Sequence, residues 1–122
     1  MIRETRSADD IAVVARHFPQ FLSGNEVKDD CRYFVAEQGG EIVGLIMFDH
    51  IEDDVWRGHF MMIRPGKGVI YARQAIRKML ESGACRILGM TPIDNHKALR
   101  AAFAAGMRYV RKSDQFHITE CP

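Results

Sequence analysis

The sequence predicts one α/β domain over residues 1–122, built as a mixed, mostly antiparallel sheet flanked by helices. Three observations carry this expectation. Two runs rich in strand formers, 32–37 (RYFVAE) and 41–50 (EIVGLIMFDH), flank Gln38-Gly39-Gly40, a hairpin signal. Further along, helical periodicity alternates with short strand-like runs, so hairpins come early, helices separate strands later, and a mixed sheet follows. The 122 residues, 47% of them hydrophobic, suffice for one core and are too few for two.

The elements follow in order. Residues 2–6 suit a short strand. Ser7-Ala8-Asp9-Asp10 has the capping-box pattern, with Asp where Glu is usual. Ile11, Val14, Ala15 and Phe18 recur at helical spacing, and Pro19 stops the helix. Residues 20–30 read as a loop or a short helix, because Gly24-Asn25 interrupts an apolar start at Phe21 and Leu22. After the hairpin, Glu52-Asp53-Asp54 makes an acidic turn and 55–64 (VWRGHFMMIR) another strand. Pro65-Gly66-Lys67-Gly68 leads sharply into a helix over 69–82. Its apolar face is Val69, Ala72, Ile76, Met79 and Leu80, and Gly83 caps its end. Cys85–Met90 reads as a short buried strand broken by Pro92. Asp94 or Asn95 caps a helix with Ala98, Leu99, Ala102 and Phe103 on its apolar face, ended by Gly106. Two last strands, 107–111 and 115–119, surround Lys112-Ser113-Asp114.

Charge and composition exclude several classes. Seventeen Lys and Arg against sixteen Asp and Glu leave a net charge of +1, so wholesale capture of nucleic acid or an anionic membrane is not expected. Apolar runs are only a few residues long, and the N-terminus lacks the apolar stretch of a secretory signal. Cys31, Cys85 and Cys121 are odd in number and lack CxxC spacing, which fits a reducing cytoplasm rather than a disulfide framework or a zinc site. His50, His59, His96 and His117 show no close ligand spacing, so no metal is expected.

The stretch 55–82 is the most informative for chemistry. A helix N-terminus offers unpaired N–H groups and partial positive charge, and glycines let backbone close on a phosphate. Gly66-Lys67-Gly68 has that form, and Lys67 adds a charge, although a glycine turn before a helix is commonly only a turn. Elsewhere the plainer readings lead. Met61, Met62, Met79, Met90 and Met107 suit core filling. Trp56 and Phe60 alternate on one strand face, where packing competes with lining a substrate site. Arg73, Arg77 and Lys78 form a solvated helix face, and Arg108, Arg111 and Lys112 form a small basic cluster with Tyr109.

The order of these motifs resembles the GNAT superfamily of acyl-CoA N-acyltransferases. Four segments carry the resemblance: IRETRSADDIAVVARHF, the hairpin FVAEQGGEIVGLIMF, the strand and turn FMMIRPGKGVI with its helix, and DNHKALRAAFAAGMRYV. The last matches the family's Asn-x-x-Ala followed by a Gly eleven residues after the Asn, here Asn95, Ala98 and Gly106, with Met107 at the family's usual Phe.

The resemblance implies acetyl-CoA as co-substrate, lying between splayed strands at 55–64 and 85–91. Backbone groups around Met61, Met62 and Ile63 bind the pantetheine arm and polarise the thioester carbonyl, as an oxyanion hole does. Gly66, Lys67, Gly68, Val69 and Ile70 hold the pyrophosphate, and Asn95 is counted with the cofactor-binding set. A neutral amine then attacks the thioester. Freeing a lysine-like amine at pH 7 costs roughly 4–5 kcal/mol, which a general base partly offsets. His59, six residues before Pro65 on the strand the family uses for this role, is the candidate base, against a plain packing histidine. Glu52, Asp53 and Trp56 are candidates for contact with the amine substrate, against a solvated acidic turn and a packed ring.

Three departures from the family pattern stand out. Pro65 runs straight into Gly66-Lys67-Gly68, so the phosphate loop is short and lacks its first Arg or Gln, and Ile70 replaces its last small residue. The family's Tyr seven residues after the Asn, a general acid for the thiolate, is Ala102. The chain, at 122 residues, is short for the family. The function expected is therefore transfer of an acetyl or short acyl group to a small-molecule or protein amine in the cytoplasm, with a homodimer allowed. The alternative is a catalytically degenerate copy of the fold serving as a binding or structural component. Small, loop-trimmed relatives occur among bacteriophage proteins, which makes a phage source an option. A nucleic-acid module using Arg108–Lys112 is the weakest reading.

Overall fold

In the computed structural model, residues 1–19 and 27–121 are described. Their elements are β1 (Ile2–Thr5), α1 (Ala8–Ala15), β2 (Cys31–Gln38), β3 (Glu41–Glu52), β4 (Val55–Met62), α2 (Gly68–Glu81), β5 (Arg86–Pro92), α3 (His96–Ala104), β6 (Arg108–Lys112) and β7 (Phe116–Cys121). The strands form one seven-stranded sheet in the order β1-β2-β3-β4-β5-β7-β6. Only β4 and β5 run parallel; every other neighbouring pair is antiparallel. The mixed, mostly antiparallel sheet expected from the sequence is present.

Local chemistry explains the elements. Gly39 and Gly40 both take positive φ, +57° and +83°, which a two-residue hairpin turn between β2 and β3 requires. Ser7 Oγ accepts from Asp10 N at 3.3 Å and caps α1. The capping box is only half formed, because the Asp10 carboxylate turns instead to Thr5 Oγ1 (2.8 Å) and Arg3 (3.0 Å). Helix α1 ends at Ala15 rather than running to Pro19. The chain tightens there into His17 N→Val14 O and Phe18 N→Ala15 O bonds, and Phe18, as the residue before Pro19, is disfavoured in helical backbone.

Helices cover both sheet faces. On one face α1 buries Ile11 and Val14 against Cys31, Tyr33, Val35, Leu45 and Met61. On the other, Ala72, Ala75, Ile76 and Met79 of α2, with Ala102 and Ala105 at α3, pack on Phe34, Ile46, Phe48 and Ile87. Phe34 and Phe48 meet edge to face at 5.8 Å. Full burial of such side chains contributes about 1.5–3 kcal/mol each. Met90 departs from the filler role, being 41% exposed.

Several boundaries also differ from expectation. Strand β4 stops at Met62, although Ile63 N still bonds Val43 O on β3 before the chain bends at Arg64. Pro92 closes β5 rather than breaking it, paired with Phe116 as the strand's last residue, where its missing N–H is harmless. The last two strands begin at Arg108 and Phe116, one residue later than expected. Of the stretch 20–30, residues 20–26 lie outside the described residues, and Asp29-Asp30 turn into β2.

Candidate active site

The pairing of β4 with β5 is short. Val55 meets Arg86, Trp56 meets Ile87, Arg57 meets Leu88, and there the pairing ends. Beyond that point β4 continues to Met62 against β3, while β5 continues to Pro92 against β7. The two strands therefore separate from Gly58 and Gly89 onward, leaving backbone of both facing edges without a strand partner among the described residues.

The register decides which β4 groups face this cleft. Ile63 N donates to Val43 O at 2.8 Å, and Met61 pairs opposite Leu45. In an antiparallel ladder, residues bonded to one neighbour alternate with residues whose N–H and C=O point to the other. Met61, Ile63 and His59 thus use their backbone on β3, and Gly58, Phe60 and Met62 point theirs into the cleft. This narrows the expectation for Met61, Met62 and Ile63: only Met62 presents backbone to the gap.

At the end of β4, residues 63–67 bend into α2. Gly66 has φ +128°, and a Cβ there would meet open space. The residue at the helix N-cap is Lys67, with no side-chain capping bond. Lysine carries no acceptor, so it leaves the first-turn amides of Gly68, Val69 and Ile70 uncapped. The first intrahelical bond is Tyr71 N→Lys67 O, 3.1 Å. The loop is short, yet among the described residues no side chain hydrogen-bonds its amides. Arg64, just before Pro65, pairs its guanidinium with Glu41 at the surface.

His59 projects on the α1 side of the sheet, just past the last β4–β5 pair. Its Nε2 lies 2.7 Å from Asp49 Oδ1 on β3. Asp49 stands directly opposite Arg57 in the ladder and diagonal to His59. Arg57 grips the same carboxylate from the other side, Nη2 to Oδ2 at 2.7 Å and Nε to Oδ1 at 3.3 Å. The Asp49 side chain is only 18% exposed. Burial pushes its pKa up, but the hydrogen bonds from Arg57 and His59 outweigh that and hold the carboxyl below its ordinary value. Arg57 also reaches Met90 Sδ across the splay at 3.8 Å.

The other expected site residues are not gathered here. Glu52 and Asp53 lie exposed at the β3–β4 tip, where β4 is still paired with β5. Val55 to His59 alone spans about 13 Å at roughly 3.3 Å per residue, so the acidic turn is not brought to His59. Asp53 serves the turn itself, with φ +42° and its carbonyl bonded by His50. Trp56 packs against the α2-side core and tilts on His50 with centroids 4.9 Å apart. Asn95 Oδ1 accepts from Ala98 N at 3.1 Å and caps α3. Ala102 is buried, and its neighbour Phe103 is 43% exposed. The hydroxyl of Tyr109 engages His117 Nδ1 at 2.9 Å on the outer strands, across β5 from the β4 side of the cleft.

A sheet that opens between two parallel strands, with an uncapped glycine turn at one strand's end and a histidine beside the opening, has the architecture of an acyl-CoA-dependent acyltransferase. The sequence profile of the acetyltransferase (GNAT) family matches residues 2–107, and the chain belongs to that family. No curated protein sequence matches it. Among solved structures, the N-acetyltransferase PseH of Campylobacter jejuni in complex with acetyl coenzyme A superposes with a TM-score of 0.74 at 17% identity, covering 99% of this chain and 98% of that one. The spermidine N-acetyltransferase SpeG of Vibrio cholerae gives 0.80 at 11% identity, covering 99% and 92%. An aminoglycoside 6′-acetyltransferase of type Ii gives 0.80 at 15%, covering 99% and 96%. At these identities the likeness is one of fold. No helix among the described residues is long and apolar enough to cross a membrane.

Proposed function

We propose that the protein transfers an acetyl or short acyl group from acetyl-CoA to an amine by direct attack. The observation that carries this reading is the end of β4–β5 pairing at Arg57 and Leu88, while β4 runs on to Met62 and into an uncapped helix. A degenerate binding protein has no need to keep that gap and those amides open, and the family match agrees with a transferase. The solved PseH complex supports acetyl-CoA as the co-substrate.

The residues present suit that molecule. Backbone groups of Gly58, Phe60 and Met62 would hold the pantetheine arm, and the amides of Gly66–Ile70 with the Lys67 ammonium would hold the pyrophosphate. When bound, acetyl-CoA supplies an acyl group activated as a thioester. His59 stands on the α1 side of the opening, and there it takes the proton that the amine must lose. Fixed N–H dipoles in the cleft favour the negative charge that develops on the carbonyl oxygen. No tyrosine stands at position 102 to protonate the departing sulfur. A thiol has an ordinary pKa near 8.5, so a thiolate leaves tolerably and solvent protonates it. An acyl-CoA-dependent reaction also implies a cytoplasmic setting.

Titration calorimetry with acetyl-CoA tests the reading, with the Gly66→Ala/Gly68→Ala double variant as control. Micromolar binding that the variant loses is the expected result. It justifies a thiol-release assay against spermidine, an aminoglycoside and a peptide beginning with alanine. No binding up to millimolar acetyl-CoA overturns the reading.

A further inference from the structure

We propose that Asp49 is the positioning residue for His59: it accepts the Nε2 proton and so leaves Nδ1 as the nitrogen that removes the proton from the attacking amine. The inference rests on the transferase reading for its role in catalysis, but its geometric half stands alone.

The argument starts from what a carboxylate can do. An ionised carboxyl only accepts hydrogen bonds. Asp49 stays ionised because Arg57 donates to both of its oxygens, and a bidentate guanidinium fixes the plane of the group. At 2.7 Å from Asp49 Oδ1, the Nε2 of His59 must therefore carry a hydrogen. A neutral imidazole with hydrogen on Nε2 has its lone pair on Nδ1, and only that atom is available as a base. Among the described residues, the titratable neighbours of Asp49 on β2 are the buried Cys31, opposite it, and the buried Tyr33 two residues on. Tyr33 already engages Lys28 N through its hydroxyl (3.1 Å). On β5 the neighbour is the apolar Met90.

In the reaction, the amine nitrogen forms a bond to the acyl carbon, and the carbon–sulfur bond breaks with its electron pair leaving on sulfur. The amine proton goes to Nδ1, so the imidazole becomes a cation. Asp49 lies beside that new charge and compensates it without moving, since both oxygens are already held.

The test is a long-range proton–nitrogen correlation spectrum of histidine-labelled protein at a pH where His59 is neutral, assigned with His59→Gln. The expected spectrum shows hydrogen on Nε2 in the unaltered chain and a mixture of both tautomers in Asp49→Ala. A His59 with hydrogen on Nδ1, or a tautomer unmoved in Asp49→Ala, overturns the proposal. Asp49→Asn keeps the volume and an acceptor oxygen, so it separates loss of charge from loss of fold. In the thiol-release assay, with spermidine, aminoglycoside or peptide as acceptor, Asp49→Ala should lower kcat by about 10²-fold, as misplaced catalytic groups do, with the KM for acetyl-CoA unchanged. An equal kcat in Asp49→Ala and the unaltered chain also overturns it. Failure of acetyl-CoA to bind either protein would sink the transferase reading while leaving the tautomer result in force.

Discussion

Gly44 and Met62 stand opposite each other in the β3–β4 ladder, and the Met62 sulfur occupies the space that a Cβ on Gly44 would need. The same methionine touches the first residue of α2, because a Cβ on Gly68 would meet Met62 Cγ at 3.1 Å. Met62 is thereby wedged between a strand glycine and the glycine that opens α2. Side-chain packing on one sheet face thus fixes where the β4 backbone ends and where the uncapped amides begin.

Gly44→Ala should destabilise the protein by about 1–3 kcal/mol, the usual cost of overpacking a filled site. The added methyl also falls 3.1 Å from the Met61 carbonyl, which is backbone and yields little. Met62→Ala in the same chain should recover part of that loss. Urea unfolding of both single variants and the double variant checks this. Additive losses would show that Gly44 and Met62 do not share the space.

Gly66→Ala should lower the melting temperature by about 3–8 °C, from roughly 1–2 kcal/mol of left-handed backbone strain. The strain is conformational alone, because nothing lies within 4 Å of the added methyl. Acetyl-CoA affinity should fall further than stability does, since the loop must present its amides in one geometry. Calorimetry and thermal unfolding on the same sample separate the two effects.

The architecture was legible where local chemistry decides it. Gly39-Gly40 marks a hairpin, Asp94 or Asn95 a helix start and Gly106 a helix end, and the structure has each of these turns, with Asn95 as the cap. The insertion of β7 between β5 and β6 was not legible, because it depends on packing between distant segments. Asp49 was missed for a more specific reason. Counting back from the turn pair Glu52–Val55 places Asp49 opposite Gly58, but the register shifts between His50 and Glu52 and brings Asp49 opposite Arg57. A one-residue slip moves every side chain to the other face, so the bulge at Ile51 puts Asp49 beside His59. The acidic turn looked suitable for an amine substrate in sequence, but its distance along β4 from the splay is a three-dimensional fact.

His59→Gln should reduce acyl transfer at neutral pH by about 10²–10⁴-fold and leave acetyl-CoA binding intact. The deficit should shrink as pH rises toward the amine's own pKa, near 10.4 for a lysine-like acceptor, because the substrate then loses its proton to water. Initial rates across pH 6–10 check this. A constant ratio between variant and parent across that range would remove His59 from proton transfer.

Acid should weaken the fold through carboxyls that the native state holds in their ionised form. Glu4 beside Arg32, Asp10 beside Arg3, and Glu120 beside Arg86 all have lowered pKa values, owing to those hydrogen bonds. Asp49 is lowered as well, its burial outweighed by Arg57 and His59. A carboxyl whose folded pKa lies below its unfolded value contributes stability that is fully present above the unfolded pKa, about 4. That contribution is lost as pH falls through the folded pKa. Stability should therefore decline below about pH 5 and keep falling to the lowered values. Asp49→Asn removes one such group, so its curve should lie below the parent's at pH 6 and converge with it as pH falls through the lowered pKa of Asp49. Urea midpoints at half-unit pH intervals measure both curves. A gap that stays constant as pH falls through the acid transition would show that the Asp49 charge adds nothing to stability and that the loss in the variant comes from its altered hydrogen bonding.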